Sequence, residues 1–424
     1  MLANRLPPWF VERIEPVEDE DDLRVSTLEL FFDLVFVFIV TQLTWIIADD
    51  PLIGLVQAVL MLGFVWWMYA GYSWLTNAVP PVRPARRVLL LCAMAGWLLV
   101  GLSVPAAFEE GSVWIAVGML VVVLIHGLMY LQAARAFGPV FIANMAAVAA
   151  VFAAQLGPGG LWRHLLWALA VVIVWSVPLL HSQRGLNLHA AHITERHGLV
   201  VMVALGESFI VIALYTRGLP IDADLLVATI LGLLIAACLW WSLFVRELPL
   251  TEQALAETAD PVRRVRKVLA GLSYWFIPVL LGIMVLAAGL KHAVGYATEP
   301  LGWSTALLLS GGAALFLLGT AGLRASMSLP RPMDRAALAA LILLLAPSGL
   351  LNAGVQLGAI AAALIGGLAL ERRAARRPSA SASRPSGEPS DPTPGPSGEP
   401  SASTPGPSGE PSGSPTESRS PGPR

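Results

Sequence analysis

The chain has little with which to do covalent chemistry. Two cysteines, Cys92 and Cys238, occur in 424 residues, each inside an apolar stretch, so neither a disulfide framework nor a cysteine-based metal site can be built. Charged residues make up only 13 %, and no nucleophile–base pair or metal cluster is legible among them. No enzyme activity, cofactor or bound metal is therefore expected. The nearest approach to a metal signature, His189 and His192 with Glu195, is loosely spaced, and solvated histidines fit it better. Also missing is an apolar stretch behind a basic start. Residues 1–24 form an arm with the acidic run EDEDD at 18–22, and no cleavable signal is visible in it. Net charge is −2, and no nucleic-acid partner is expected.

What the chain has in abundance is apolar sequence. Hydrophobic residues make up 56 %, and mean hydropathy is +0.69. A membrane-spanning helix needs ~20 mostly apolar residues, and about twelve stretches meet that need. They lie near 26–47, 52–75, 87–107, 112–133, 139–156, 161–180, 196–215, 224–245, 267–290, 302–323, 335–350 and 353–370. The last two are short, and Pro347, Ser348, Gly349 and Asn352 mark a turn between them. The expected fold is all-α, a polytopic transmembrane helical bundle of residues 25–371, open to a plan of two six-helix halves.

Charge is sorted by side. With a cytoplasmic N-terminus, twenty-one arginines and lysines fall on inside segments against Arg163, Arg217 and Lys291 outside. The positive-inside rule then places both termini in the cytoplasm of a multi-pass cell-membrane protein. Residues 372–424 follow as a basic juxtamembrane segment and a Pro/Ser/Gly-rich tail, in which PSGEPS recurs at 385, 396 and 407. Such a tail has almost nothing to bury and is expected to be disordered.

Against this apolar background, three carboxylates stand out. Glu29 and Asp33 lie in the first span and Glu207 lies deep in the seventh, where a charge costs roughly 2.5–3.5 kcal/mol and calls for a partner or a wet cavity. Ser26-x-x-Glu29 matches a capping box, which by itself accounts for Glu29. Asp33 is one turn further in, on the same face. Two like charges at that spacing repel, so either one is protonated or a cation is near. Arg196 lies at a depth similar to Glu29 and is the expected counter-charge. A stripe of His192, Glu195/Arg196, Leu199, Val203 and Gly206/Glu207 runs inward along the seventh helix, carrying Glu207 about 16 Å beyond Arg196; Ser208 is beside it. Trp66, Trp67, Tyr69, Tyr72 and Trp74 read as an interfacial aromatic belt at the end of the second span.

Two of these segments have a wider resemblance. LELFFDLVFVFIVTQL at 28–43 and HITERHGLVVMVALGESFIVI at 192–212, in that order and at that separation, resemble the bacterial low-temperature requirement protein A family over about residues 24–370. The resemblance implies a polytopic bacterial membrane protein of a family named for a growth phenotype in the cold. Its motif residues fall here on Glu29, Asp33, Glu195, Arg196, Gly206, Glu207 and Ser208. WWMYAGYSWLTN at 66–77 follows the family pattern through Asn77, whereas AVPPVRPARR stands where an acidic-basic cluster is expected.

Two functions fit. In one, a proton- or cation-coupled transporter binds its ion at Asp33 and Glu207, with Glu29, Glu195, Arg196 and Ser208 around them. Its partners would be the lipid bilayer and a proton, cation or small solute. In the other, a stress-related scaffold or sensor uses buried charge only to specify helix packing.

Overall fold

The first helix begins where the sequence places its cap. In the computed structural model, which describes residues 25–78, 80–109, 112–132, 138–180, 188–216 and 220–375, Ser26 is extended and its hydroxyl oxygen accepts from the Glu29 amide. The Glu29 carboxylate in turn accepts from the Ser26 amide. This box opens α1, Thr27–Asp49. There follow α2 (Ile53–Ala78), α3 (Pro84–Ser103), α4 (Trp114–Gln132), α5 (Gly138–Leu156), α6 (Gly160–Leu180), α7 (Ala190–Tyr215) and α8 (Ala223–Ala256). The chain continues as α9 (Pro261–Ala293), α10 (Trp303–Met327), α11 (Pro332–Leu350) and α12 (Ala353–Ala375). Among the described residues there is no strand, and eleven of the helices, all but α7, are long and apolar enough to cross a membrane. Their outward faces are apolar too: Leu91, Leu161, Ile142 and Val172 are among many exposed aliphatics, as a lipid-facing surface requires.

The last two segments fold differently from one another. α11 ends in a short 3-10 turn at Ala346–Leu350, whereas α12 is a full-length helix that carries the start of ERRAARR through Ala375. The basic segment therefore begins as helix rather than after it. The acidic arm and the repeat tail lie outside the described residues.

α8 and α9 are each continuous over more than thirty residues, longer than the apolar stretches that mark them. Each contains one wide π turn, at Leu243–Glu247 and Leu269–Tyr274. A proline explains both. In a regular α-helix the rings of Pro249 and Pro278 would crowd the carbonyl four residues back, at Val245 and Tyr274, and each of those carbonyls lies in a wide turn. The loosened turn makes room for the ring and lets the helix run on.

Small residues bring α9 and α10 into their close packing. A Cβ on Gly282 would come within 2.5 Å of the Phe316 amide nitrogen, and one on Gly312 would strike the Leu286 backbone. Backbone approach of this kind is how helices associate where no hydrophobic force distinguishes helix from lipid. α1 packs on α2, α3, α7 and α9, so its polar face meets protein rather than lipid.

Candidate functional site

The polar face of α1 meets the start of α7. Glu29 and Asp33 are one turn apart on α1, and His192 and Arg196 are one turn apart on α7; all four are buried. Arg196 bridges the two acids. Its Nη1 is 3.2 Å from Glu29 Oε1, and its Nη2 donates to Asp33 Oδ1 at 2.8 Å. A planar guanidinium fork suits two carboxylates in this way.

The two oxygens of Glu29 are divided. Oε2 accepts from the Ser26 amide and hydroxyl, each at 2.9 Å, while Oε1 faces Arg196 and, at 3.4 Å, His192 Nε2. Capping and ion pairing are thus carried by one side chain.

α2 supplies the other wall. Tyr69 donates its hydroxyl to Asp33 Oδ1 at 2.9 Å, and the Arg196 guanidinium lies 5.7 Å from the Tyr69 ring and 5.9 Å from the Phe32 ring, within cation–π range. Two turns on, Asn77 docks against the entrance of α7. Its Oδ1 accepts from the His189 amide at 3.2 Å, and its Nδ2 donates to the His189 carbonyl at 3.0 Å and lies 3.3 Å from His192 Nδ1.

Beneath Tyr69, Trp66 stacks between Tyr69 and Phe276. Its indole donates to the Ser273 carbonyl at 2.7 Å, an acceptor inside the wide turn of α9. His197 sets its ring edge-on to Trp66 and Phe276.

These contacts correct the belt reading. Trp66, Tyr69 and Tyr72 are almost wholly buried, because α2 is an inner helix and its aromatics fill the space among α1, α7 and α9. Glu195 also departs from expectation. The buried side of α7 runs His192, Ile193, Arg196, His197, Val200, Val201, whereas Glu195 is exposed beside it, about 100° around the helix from Arg196. The backbones of Glu207 and Ser208 continue α7, but their side chains lie outside the described residues. So the structure brings Glu29, Asp33 and Arg196 together, leaves Glu195 outside, and adds Tyr69, Asn77 and His192.

With the geometry in place, comparison with known sequences decides the family. A sequence model of the bacterial low temperature requirement A protein (LtrA) matches residues 24–370. The chain belongs to the LtrA family. It is also similar to an uncharacterized protein of Rhizobium meliloti (strain 1021), 27 % identical over 322 residues that cover 72 % of this chain and 78 % of the relative. No solved structure matches it. Both motif segments of this LtrA chain fall in the matched region and pack on each other as α1 and α7.

The LtrA chain has a second buried charge network that its sequence does not advertise. Glu247, in the wide turn of α8, accepts from Arg324 of α10 through both oxygens, at 2.9 and 2.8 Å from Nε, and from Arg335 of α11 at 3.0 Å. Arg335 also reaches Glu371 of α12, with Nε at 2.6 Å, and Arg246 closes the group at 3.2 Å from Glu371. The sequence places Glu247 in a connection between spans. The missed signal is Pro249, which permits the helix to continue through a wide turn instead of ending.

Proposed function

We propose that this LtrA-family protein is an ion-coupled transporter of the cell membrane whose exchange site is the Glu29–Asp33–Arg196 cluster, with both termini cytoplasmic. The observation that carries the reading is a charge imbalance: two carboxylates, 2 % and 1 % exposed, share one guanidinium. With His192 neutral, the cluster holds one surplus negative charge. A buried surplus charge is costly, and taking up one proton or monovalent cation removes it. Intramembrane acids beside a cation are the usual sites of such exchange. No covalent step is assigned to the protein.

The scaffold reading draws support from the capping box, since Glu29 does structural work whatever else it does. Replacing Asp33 by Asn separates the two readings, because it keeps shape and hydrogen bonding while removing the surplus charge. For the transporter, D33N protein reconstituted into vesicles is expected to insert normally and lose at least about tenfold of ion-driven flux, a barrier change of about 1.4 kcal/mol or more. Wild-type vesicles that carry no flux across a broad panel of ions and solutes would sink the transporter and leave the scaffold.

The orientation has its own check. Reporter fusions at Glu109, after α3, and at Ser328, after α10, should report opposite sides of the membrane, with Ser328 cytoplasmic. Fusions that agree with each other would overturn it.

A further inference from the structure

Asn77 fixes the hydrogen-bonding role of His192. Its side-chain amide is fixed by main chain on both sides: the His189 N–H must face an acceptor and the His189 carbonyl must face a donor. The amide therefore cannot be flipped, and its second N–H points at His192 Nδ1, 3.3 Å away. That nitrogen is an acceptor. The imidazole proton is then on Nε2, facing Glu29 Oε1 at 3.4 Å. A cationic imidazolium would put an Nδ1–H against the Asn77 NH2 group, donor against donor. His192 is thus held as the neutral Nε2–H tautomer, its N–H facing Glu29 Oε1, and is not a carrier of charge.

The four carboxylate oxygens are then unequal. Both oxygens of Glu29 face donors: Oε2 faces Ser26, and Oε1 faces Arg196 and His192 at ion-pair distance. Asp33 Oδ1 accepts from Arg196 and Tyr69. Glu29 Oε1 and Asp33 Oδ2 are both buried without a hydrogen bond among the described residues, but Oε1 has Arg196 at 3.2 Å and His192 at 3.4 Å, whereas the nearest approach of Arg196 to Asp33 is to the twin oxygen, Oδ1. A hard metal ion would ask for about six oxygen ligands, and here a guanidinium nitrogen is 2.8 Å from the twin oxygen. A proton needs one lone pair.

We infer that the exchanged ion is a single proton carried on Asp33 Oδ2, and that Asn77 is the positioning residue that keeps His192 from taking it instead. On uptake, one O–H bond forms on the carboxylate, and the cluster passes from a net charge of −1 to neutral. The charged and titratable groups facing Asp33 are Arg196 and His192 from α7, Tyr69 from α2 and Glu29 from its own helix. α3 presents Trp97 to the neighbouring Phe32 and Phe36, and α9 presents Phe276 to Trp66 and His197. Arg86 of α3 is eleven residues before Trp97, about 16 Å along that helix. The groups facing His192 are Glu29, Arg196 and Asn77, and Arg264 of α9 reaches the Leu188 carbonyl nearby.

The inference rests on the ion-exchange reading of this cluster, yet spectroscopy of the purified full chain tests it without any flux. In histidine-labelled protein, the nitrogen resonances that His192→Gln removes should show a neutral Nε2–H imidazole at neutral pH. An infrared band of a protonated carboxyl should shift on carbon-13 labelling of aspartate but not of glutamate, should vanish in Asp33→Asn, and should weaken in Glu29→Gln, which removes the surplus charge. In Asn77→Asp, a carboxylate faces Nδ1, so His192 should become cationic, while the Asp33 band should persist, because the added anion and the added cation leave the net charge of the cluster at −1. An imidazolium in the wild type, or a band that survives Asp33→Asn, would overturn the assignment. Vesicle flux driven by a sodium or potassium gradient and indifferent to a pH gradient would overturn the proton while leaving the transporter standing. The expected bands and tautomer without any proton flux would leave the proton site and end the transporter.

Discussion

Replacing Arg196 by Leu is expected to cost about 3–5 kcal/mol of stability, the usual penalty when one partner of a buried ion pair is removed. The arithmetic is local. Glu29 and Asp33 are both buried and both face the same guanidinium, so its loss strands two carboxylates one helical turn apart. Arg196→Lys should recover only part of the loss, because a single ammonium lacks the planar fork that reaches both acids. The decisive comparison is R196L with and without E29Q and D33N. Removing the two charges as well should restore most of the stability, since the penalty belongs to unpaired charge and not to lost volume. Unfolding of each variant in detergent provides the measurement. An R196L protein as stable as wild type would mean that the acids are neutral or paired elsewhere, and the cluster described above would not be the native one.

Glu247→Leu should be comparably damaging, again about 3–5 kcal/mol, although nothing in the proposed ion exchange uses this residue. Glu247 is fully buried and is the shared acceptor of Arg324 and Arg335. Without it, three guanidiniums crowd around Glu371 alone. Glu371→Gln should be milder, because Arg246, its outermost partner, keeps 20 % of its side-chain surface exposed and water can take over part of its solvation. The same unfolding experiment gives the order: E247L well below E371Q, and E371Q below wild type. The reverse order would show that the network is organised around α12 and not around the wide turn of α8.

The sequence carries much of this architecture. Apolar length marks the helices, Ser26 and Glu29 mark the start of α1, and the depth argument singles out Glu29, Asp33 and Arg196 as a group needing mutual neutralisation. What escaped it depends on knowledge of which helix lies inside the bundle. Tyr69 and Trp66 look like membrane-interface residues because a one-dimensional pattern shows how deep a side chain lies but not what lies beside it. Glu195 falls in the sequence stripe because intervals of three and four residues span more than the buried face of α7. Glu247 was hidden by the assumption that a polar run ends a span, when Pro249 and a wide turn carry the helix through it. Asn77 was visible as part of an aromatic segment, but its role depends on the His189 main chain, which is more than a hundred residues away in sequence.

The divided carboxylate of Glu29 has a mechanical corollary. One of its oxygens holds the first turn of α1 together and the other faces Arg196 and His192 of α7. Sliding α7 along α1 by even one residue's rise, about 1.5 Å, would lengthen the contacts on one oxygen unless the turn closed by the other unwound. The two helices must therefore travel as one rigid piece, or separate only as the tip of α1 frays. Tyr69 and Asn77 tie α2 to the same pair, so a displacement of α1 and α7 carries α2 with it.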